Sequence, residues 1–157
     1  MVLHTIEPVY NADSRILILG TMPSPRSREE GFYYMHPQNR FWRVMGDVLG
    51  EDFSCGIEGR REILLRRGIA LWDVLKSCDI TGASDATIKN ETPNDLERIF
   101  AAADIRRVYT TGRTAERLFK KHFERECTAL YSPSAANCAV SFERLCEDYR
   151  RILEDLK

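Results

Sequence analysis

The chain has no run of 18 apolar residues, so no membrane-spanning helix is expected. It has no Cys-x-x-Cys pair. Its five cysteines, Cys55, Cys78, Cys127, Cys138 and Cys146, are scattered and odd in number, which points to reduced thiols and argues against zinc or iron–sulfur ligation. It has no excess of either charge: 23 basic residues face 24 acidic ones, for a net charge of −1. Composition therefore does not announce a nucleic-acid partner, although a local patch can sit on a neutral protein. A phosphate-cradling glycine loop, a Ser–His–Asp spacing and a metal-ligand set are all missing, so the usual hydrolase classes have no support. The opening MVLHTIEPVYNADSR has no basic segment followed by an apolar core, and a cytoplasmic protein without a leader is expected.

What is present reads as one compact domain over residues 1–157, with 43% hydrophobic and 30% charged residues. RILILG (15–20) is a short apolar run, expected as a buried strand ended by Gly20, Pro23 and Pro25. GIALWDVL (68–75), RRVYTTG (106–112) and the start of CTALYSPSAAN (127–137) read as three more strands. Helices are expected at 40–50, 59–67, 94–103, 114–123 and 141–157. Asn39, Asn94 and Ser141 are placed to open three of them. The polar segment 76–93, rich in Gly, Ser and Asp, reads as a long loop. Strands alternating with helices predict an α/β fold: a three-layer α/β/α sandwich around a mostly parallel four-stranded sheet.

Within that frame the densest signal is GFYYMHPQNRFW (31–42), which places Phe32, Tyr33, Tyr34, His36, Asn39, Phe41 and Trp42 close together. It follows a strand, where α/β proteins place ligands. Flat rings beside a neutral amide suit a planar, polar, uncharged group such as a nucleobase. Three loops, 21–39, 76–93 and 132–138, follow strands and should converge at the carboxyl edge of the sheet. The first supplies Thr21, Tyr33, Tyr34, His36 and Asn39. The second supplies Asp79, Ser84, Asp85 and Asn90, with Asp73 at the strand end before it. The third supplies Ser132 and Ser134, whose hydroxyls and backbone N–H groups can meet phosphates. Plainer roles stand beside these. Tyr33 and Tyr34 can be ordinary half-buried rings, His36 can brace its loop, Asn39 can cap a helix, and Asp73 can accept backbone hydrogen bonds.

Taken together, the motifs resemble the uracil-DNA glycosylase superfamily over nearly the whole chain. LILGTMPSP (17–25) occupies the place of a first motif, a strand followed by Gly-x-(Asn or Asp)-Pro. YYMHPQNRFWRVM (33–45) resembles the run (Phe/Tyr)-x-His-Pro-x-Asn-x-Phe-Trp of the mismatch-specific branch. LYSPSAANCAVSFERLCEDYR (130–150) resembles the third motif, (His/Asn)-Pro-Ser, a wedge loop and a helix. The first motif departs from the pattern, with Met22 at the polar position. In the third, Ser132 stands where His or Asn assists the leaving base.

One branch combines G-T-M-P with H-P-x-N-x-F-W. Similarity to it implies removal of hypoxanthine from deoxyinosine in DNA, with base flipping, no metal or cofactor, and Asn39 as the catalytic residue. The resemblance further implies base contacts from Gly20, Thr21, Met22, Pro23, Tyr34, His36 and Asp73. It implies a wedge made of Ser132, Pro133, Ser134, Ala135, Ala136 and Asn137, the last filling the gap in the duplex. The small tip suggests weak insertion and tolerance of single strands. The partner implied is DNA with deaminated bases, acted on by a monomer. The altered motifs leave two other readings open: a uracil or thymine mismatch glycosylase, and a damaged-DNA-binding module without activity.

Overall fold

The computed structural model describes residues 1–157 and shows an α/β protein with two sheets. In chain order the elements are β1 (Val2–Leu3), β2 (Ile16–Gly20), α1 (Pro25–Glu30), α2 (Phe41–Leu49), α3 (Gly56–Arg66), β3 (Ile69–Asp73) and β4 (Leu75–Thr81). They continue with β5 (Ser84–Pro93), α4 (Glu97–Phe100), β6 (Arg107–Thr111), α5 (Arg113–His122), β7 (Thr128–Leu130) and α6 (Phe142–Tyr149). A 3-10 segment, Arg150–Leu156, closes the chain.

The main sheet has the order β3-β2-β6-β7, and every neighbouring pair is parallel. Each parallel step needs a crossover, and the helices supply it. All five residues of β2 and all five of β3 are buried. The apolar runs Ile16–Leu19 and Ile69–Trp72 within them are what strands covered on both faces require. Each of Ile16, Leu17, Ile18 and Leu19 is removed from water completely, a gain of roughly 1.5–3 kcal/mol per side chain over exposure. From β2 the chain moves to β3 on one side and later to β6 on the other. The strand order therefore reverses at β2, and a crevice is expected at the carboxyl end of such a point.

The structure revises the reading of 76–93. It is not a loop but the antiparallel hairpin β4–β5, turning at Gly82 and extended by β1 into a three-stranded sheet. A polar, largely exposed β5 and three register shifts hide the alternation that marks a hairpin. The 94–103 helix shrinks to α4, and Asn94 is buried rather than a cap. Its Nδ2 donates to the carbonyls of Asp73 (2.9 Å) and Leu75 (3.0 Å), pinning the β3–β4 corner. The last helix changes to 3-10 geometry after Tyr149. No helix is long and apolar enough to cross a membrane.

Candidate active site

Four parallel strands end at one cleft of about 350 Å3. Gly20 ends β2, Asp73 ends β3, Thr111 ends β6, and Ser132 lies just past β7; all four line it. The 21–39 segment adds Thr21, Met22, Pro23, Tyr34, His36 and Asn39. The 132–136 segment adds Pro133, Ser134, Ala135 and Ala136. The hairpin reaches over with Ile80, Ala83 and Asp85. Of the five polar residues that the sequence offered from this stretch, Asp73 and Asp85 reach the cleft and Ser84 does not. Asp79 and Asn90 bond to each other across the hairpin (2.8 Å) and lie outside it.

Asn39 does two things at once. Its Oδ1 accepts the N–H of Phe41 at 2.9 Å, capping α2 one residue before the formal cap, Arg40. That fixes the amide orientation and leaves Nδ2 as an uncommitted donor, with a second lone pair on the oxygen. His36 Nδ1 accepts the N–H of Gln38 at 3.1 Å, and its carbonyl accepts the N–H of Asn39 at 2.9 Å. His36 thus shapes the turn that presents Asn39.

The two tyrosines separate. Tyr33 is a core residue that also borders the cleft: its hydroxyl donates to the carbonyls of Glu7 (2.7 Å) and Ile6 (3.3 Å), tethering the N-terminal segment. Tyr34 sits at φ 55°, in the left-handed region that aromatic residues rarely adopt. Phe41 covers one face of its ring at a centroid distance of 3.9 Å and 15° between planes. Only the other face is available for stacking. The Tyr34 hydroxyl pairs with Thr111 Oγ1 at 3.0 Å. Burial, reinforced by the charge of Asp73, pushes the Tyr34 phenol far above its ordinary range, against the pull of Thr111. It therefore remains protonated, and either hydroxyl can donate in the pair with Thr111.

Gly20 is where space is tightest. A Cβ on it would stand 2.5 Å from Asp73 Oδ1 and 3.0 Å from the Tyr34 hydroxyl. Only glycine lets these two oxygens close over the end of β2. The carbonyls of Gly20 and Thr21 accept N–H groups of Val74 and Leu75. The N–H groups of Thr21 and Met22 make no hydrogen bond within the protein. At the mouth, Asp85 lies a long 3.5 Å from the Thr21 hydroxyl. Partial desolvation raises its carboxyl above the usual range, Asp73 adds to the rise, and Thr21 and Arg117 oppose it.

The 132–140 loop is built from its own short-range bonds. Ser132 Oγ accepts the N–H of Ser134, Ser134 Oγ accepts that of Ala136, and Asn137 Nδ2 donates to the Ser132 carbonyl at 3.1 Å. Asn137 is turned inward to brace the loop and does not line the cleft. The exposed tip is Ala135 and Ala136, with Cys138 and Ala139 following.

The sequence profile of the Uracil DNA glycosylase superfamily matches residues 7–157. The chain belongs to the uracil DNA glycosylase superfamily. Two relatives are both named hypoxanthine DNA glycosylase. The protein of Methanosarcina barkeri is 43% identical over 90 residues, 57% of this chain and 57% of its own length. That of Methanosarcina acetivorans is 35% identical over 97 residues, 61% of each. The matched stretches thus span about three fifths of these relatives. A solution NMR structure from Methanosarcina acetivorans, determined as that of a candidate uracil DNA glycosylase, superposes with a TM-score of 0.74 at 30% identity. The match covers 94% of this chain and 96% of that one.

In this member of the superfamily the hairpin residues Ile80 and Ala83 escaped sequence reasoning, as did three polar residues at or behind the cleft. Thr111 could have been found as the polar residue before Gly112 at a strand end. Arg40 binds the far loop but reads in sequence as an ordinary surface charge. His4, bonded to Asp73 at 2.8 Å, lies 69 residues away in a segment with no periodic signal.

Proposed function

We propose that the chain is a monofunctional DNA glycosylase that hydrolyses the N-glycosidic bond of deoxyinosine and releases hypoxanthine. The observation that carries this reading is the position of Asn39. Its amide oxygen is tied to Phe41, and its NH2 is left free in the same cleft as one face of Tyr34 and Oδ1 of Asp73. Positions 21–23, directly after Gly20, hold no Asn or Asp, so the cleft offers positioning and polarity in place of a base there.

Hypoxanthine is adenine that has exchanged its amine for a 6-oxo group, and it must leave the stack to be reached. Flipping costs a few kcal/mol. Stacking on the free face of Tyr34 offsets part of that, since one base–aromatic contact contributes roughly 1–3 kcal/mol. The bond from C1′ to N9 then breaks with its electron pair going to the base. Negative charge grows on hypoxanthine and positive charge on the sugar. The unpartnered N–H groups of Thr21 and Met22 and the Nδ2 of Asn39 are donors suited to the departing anion, in the manner of an oxyanion hole. Water adds to C1′, and the proton it loses restores neutral hypoxanthine. An amide cannot abstract that proton strongly, so Asn39 contributes orientation. The 132–137 loop faces the duplex, and the substrate is DNA carrying deaminated bases, met by a monomer in the cytoplasm.

A strand-scission assay tests this. Labelled oligonucleotides with one deoxyinosine or one deoxyuridine, single-stranded and opposite each base, are incubated with the protein and treated with hot alkali. Cleavage at inosine and not at uracil is expected. Cleavage only at uracil would move the chain to the mismatch branch, and none at either would leave a binding module.

A further inference from the structure

At the floor of the cleft Asp73 is held by a residue that no motif contains. His4 is buried, and its Nε2 lies 2.8 Å from Asp73 Oδ2. The ring's other nitrogen, Nδ1, accepts the N–H of Ile6 at 3.3 Å. An acceptor at Nδ1 places the ring proton on Nε2, so the imidazole donates and the carboxylate accepts. The arrangement is held from both sides. The N–H of His4 donates to the Lys76 carbonyl, β1 pairs with β4, Val9 and Leu71 exchange two backbone bonds along the free edge of β3, and Tyr33 grips the carbonyls of Ile6 and Glu7. With Oδ2 committed to His4, Oδ1 is left as a bare acceptor beside Gly20, with no hydrogen bond inside the protein.

We propose that His4 is a positioning residue that keeps Asp73 an acceptor-only reader of the base, admitting a purine whose ring N1 carries a proton and turning away adenine, whose N1 does not. The inference rests on the deoxyinosine reading above. Hypoxanthine carries a proton on N1 and can donate it to Oδ1. Adenine, the parent base present in vast excess, carries a lone pair on N1, which an anionic oxygen repels. A protonated Asp73 would reverse this choice by offering adenine a donor. The His4 N–H takes up Oδ2 and fixes the plane of the carboxyl, so the atom presented to the base is the bare acceptor Oδ1. A site built to take an N–H rejects the analogue lacking it far better than a mere difference in shape would. The titratable groups facing the pair are the phenols of Tyr33 and Tyr34 from the 31–39 loop and the carboxyl of Asp85 from the hairpin. Both phenols are held protonated by burial, leaving Asp85 as the neighbour whose charge changes in the acid range.

The experiment uses the whole chain and three single-lesion oligonucleotides, carrying deoxyinosine, 1-methyldeoxyinosine or deoxyadenosine, across pH 5–8. The unaltered protein should release hypoxanthine and discriminate roughly a hundredfold or more against the 1-methylated base, which lacks the proton. His4→Leu should lower hypoxanthine release by about tenfold to a hundredfold at neutral pH, the range expected when a buried charge loses its donor. It should also narrow the preference for inosine over adenine. His4→Gln, which can still offer a donor near the Nε2 position, should restore most of the rate and the original preference. Equal release of the 1-methylated base would overturn the proposal. So would a His4→Leu protein whose rate falls with its preference unchanged, because a merely structural histidine would do that. If His4→Leu does not fold, the methylated substrate and the base preference of His4→Gln decide. No release of hypoxanthine by the unaltered protein would instead overturn the underlying deoxyinosine reading.

Discussion

The backbone N–H of Arg40 donates to the carbonyl of Pro133 at 3.0 Å, joining the residue after Asn39 directly to the 132–140 loop. The side chain completes the latch. Its Nη1 donates to the Val140 carbonyl at 2.5 Å, and its Nη2 to those of Ser134 (3.1 Å) and Asn137 (3.0 Å). Nε is buried without a partner. One guanidinium thus gathers three carbonyls of the loop, and it links the segment proposed to meet DNA to the residue proposed to act on the base.

Arg40→Met should leave the fold intact and lower the single-turnover rate on duplex deoxyinosine by about tenfold to a hundredfold, given roughly 1.5–3 kcal/mol for hydrogen bonds to a charged group. The loss should be smaller on single strands, where the loop has no opposing strand to meet. Equal rates for the variant and the original on duplex would show that the latch has no part in the reaction.

Asn39 allows its two roles to be separated. Asn39→Asp keeps an oxygen for the Phe41 N–H and removes the NH2, so the melting temperature should hold while hypoxanthine release disappears. Asn39→Ala removes both, costing about 1 kcal/mol from the lost cap, or a few degrees of melting temperature for a domain of this size. Thermal melts run beside the alkali assay check this; full activity in Asn39→Asp would count against the proposed donor.

Gly20→Ala puts a methyl 2.5 Å from Asp73 Oδ1. Either the carboxylate or β2 must move, at a cost of about 1–3 kcal/mol. Release of hypoxanthine should be lost with little change in secondary structure by circular dichroism.

Asp85 gives a pH-dependent test. Its carboxyl is raised above its ordinary value in the folded protein, so the folded state holds that proton more tightly than the unfolded chain. The stability this provides is fully present below the unfolded value, roughly pH 4, and is lost as pH rises through the folded value. Asp85→Asn should therefore raise the melting temperature at pH 7 and leave it unchanged at pH 3. It should also tighten DNA binding by removing a negative charge from the mouth of the cleft. Matching melting curves for the two proteins at pH 7 would contradict the raised value.

The main sheet was legible because β2, β3 and β6 are short apolar or β-branched runs ended by Gly or Asp, or followed at once by Gly. The first and third loops were legible because their residues lie together in sequence. What could not be read depends on distance and on polar strands. The hairpin carries Lys76, Asp79, Lys89 and Asn90 along irregular register, and its pairing with β1 is what brings His4 under Asp73. Asn94 looked like a helix cap because Asn caps are common; its amide instead bridges two carbonyls at a corner that exists only once β3 and β4 have formed. Asn137 sits within the small-residue loop expected to enter DNA, yet its amide is already taken by Ser132.

The tip at Ala135 and Ala136 is only two methyl groups deep, on a loop stiffened from within. Such a tip can fill a space but has no leverage to open a base pair. On the proposed reading, the protein captures inosines that have already swung out, and the rate of repair is set by how often the DNA opens at the lesion. Weak pairs and frayed ends would be cleared first, and a lesion stacked firmly in a stable duplex would wait on the DNA rather than on the enzyme.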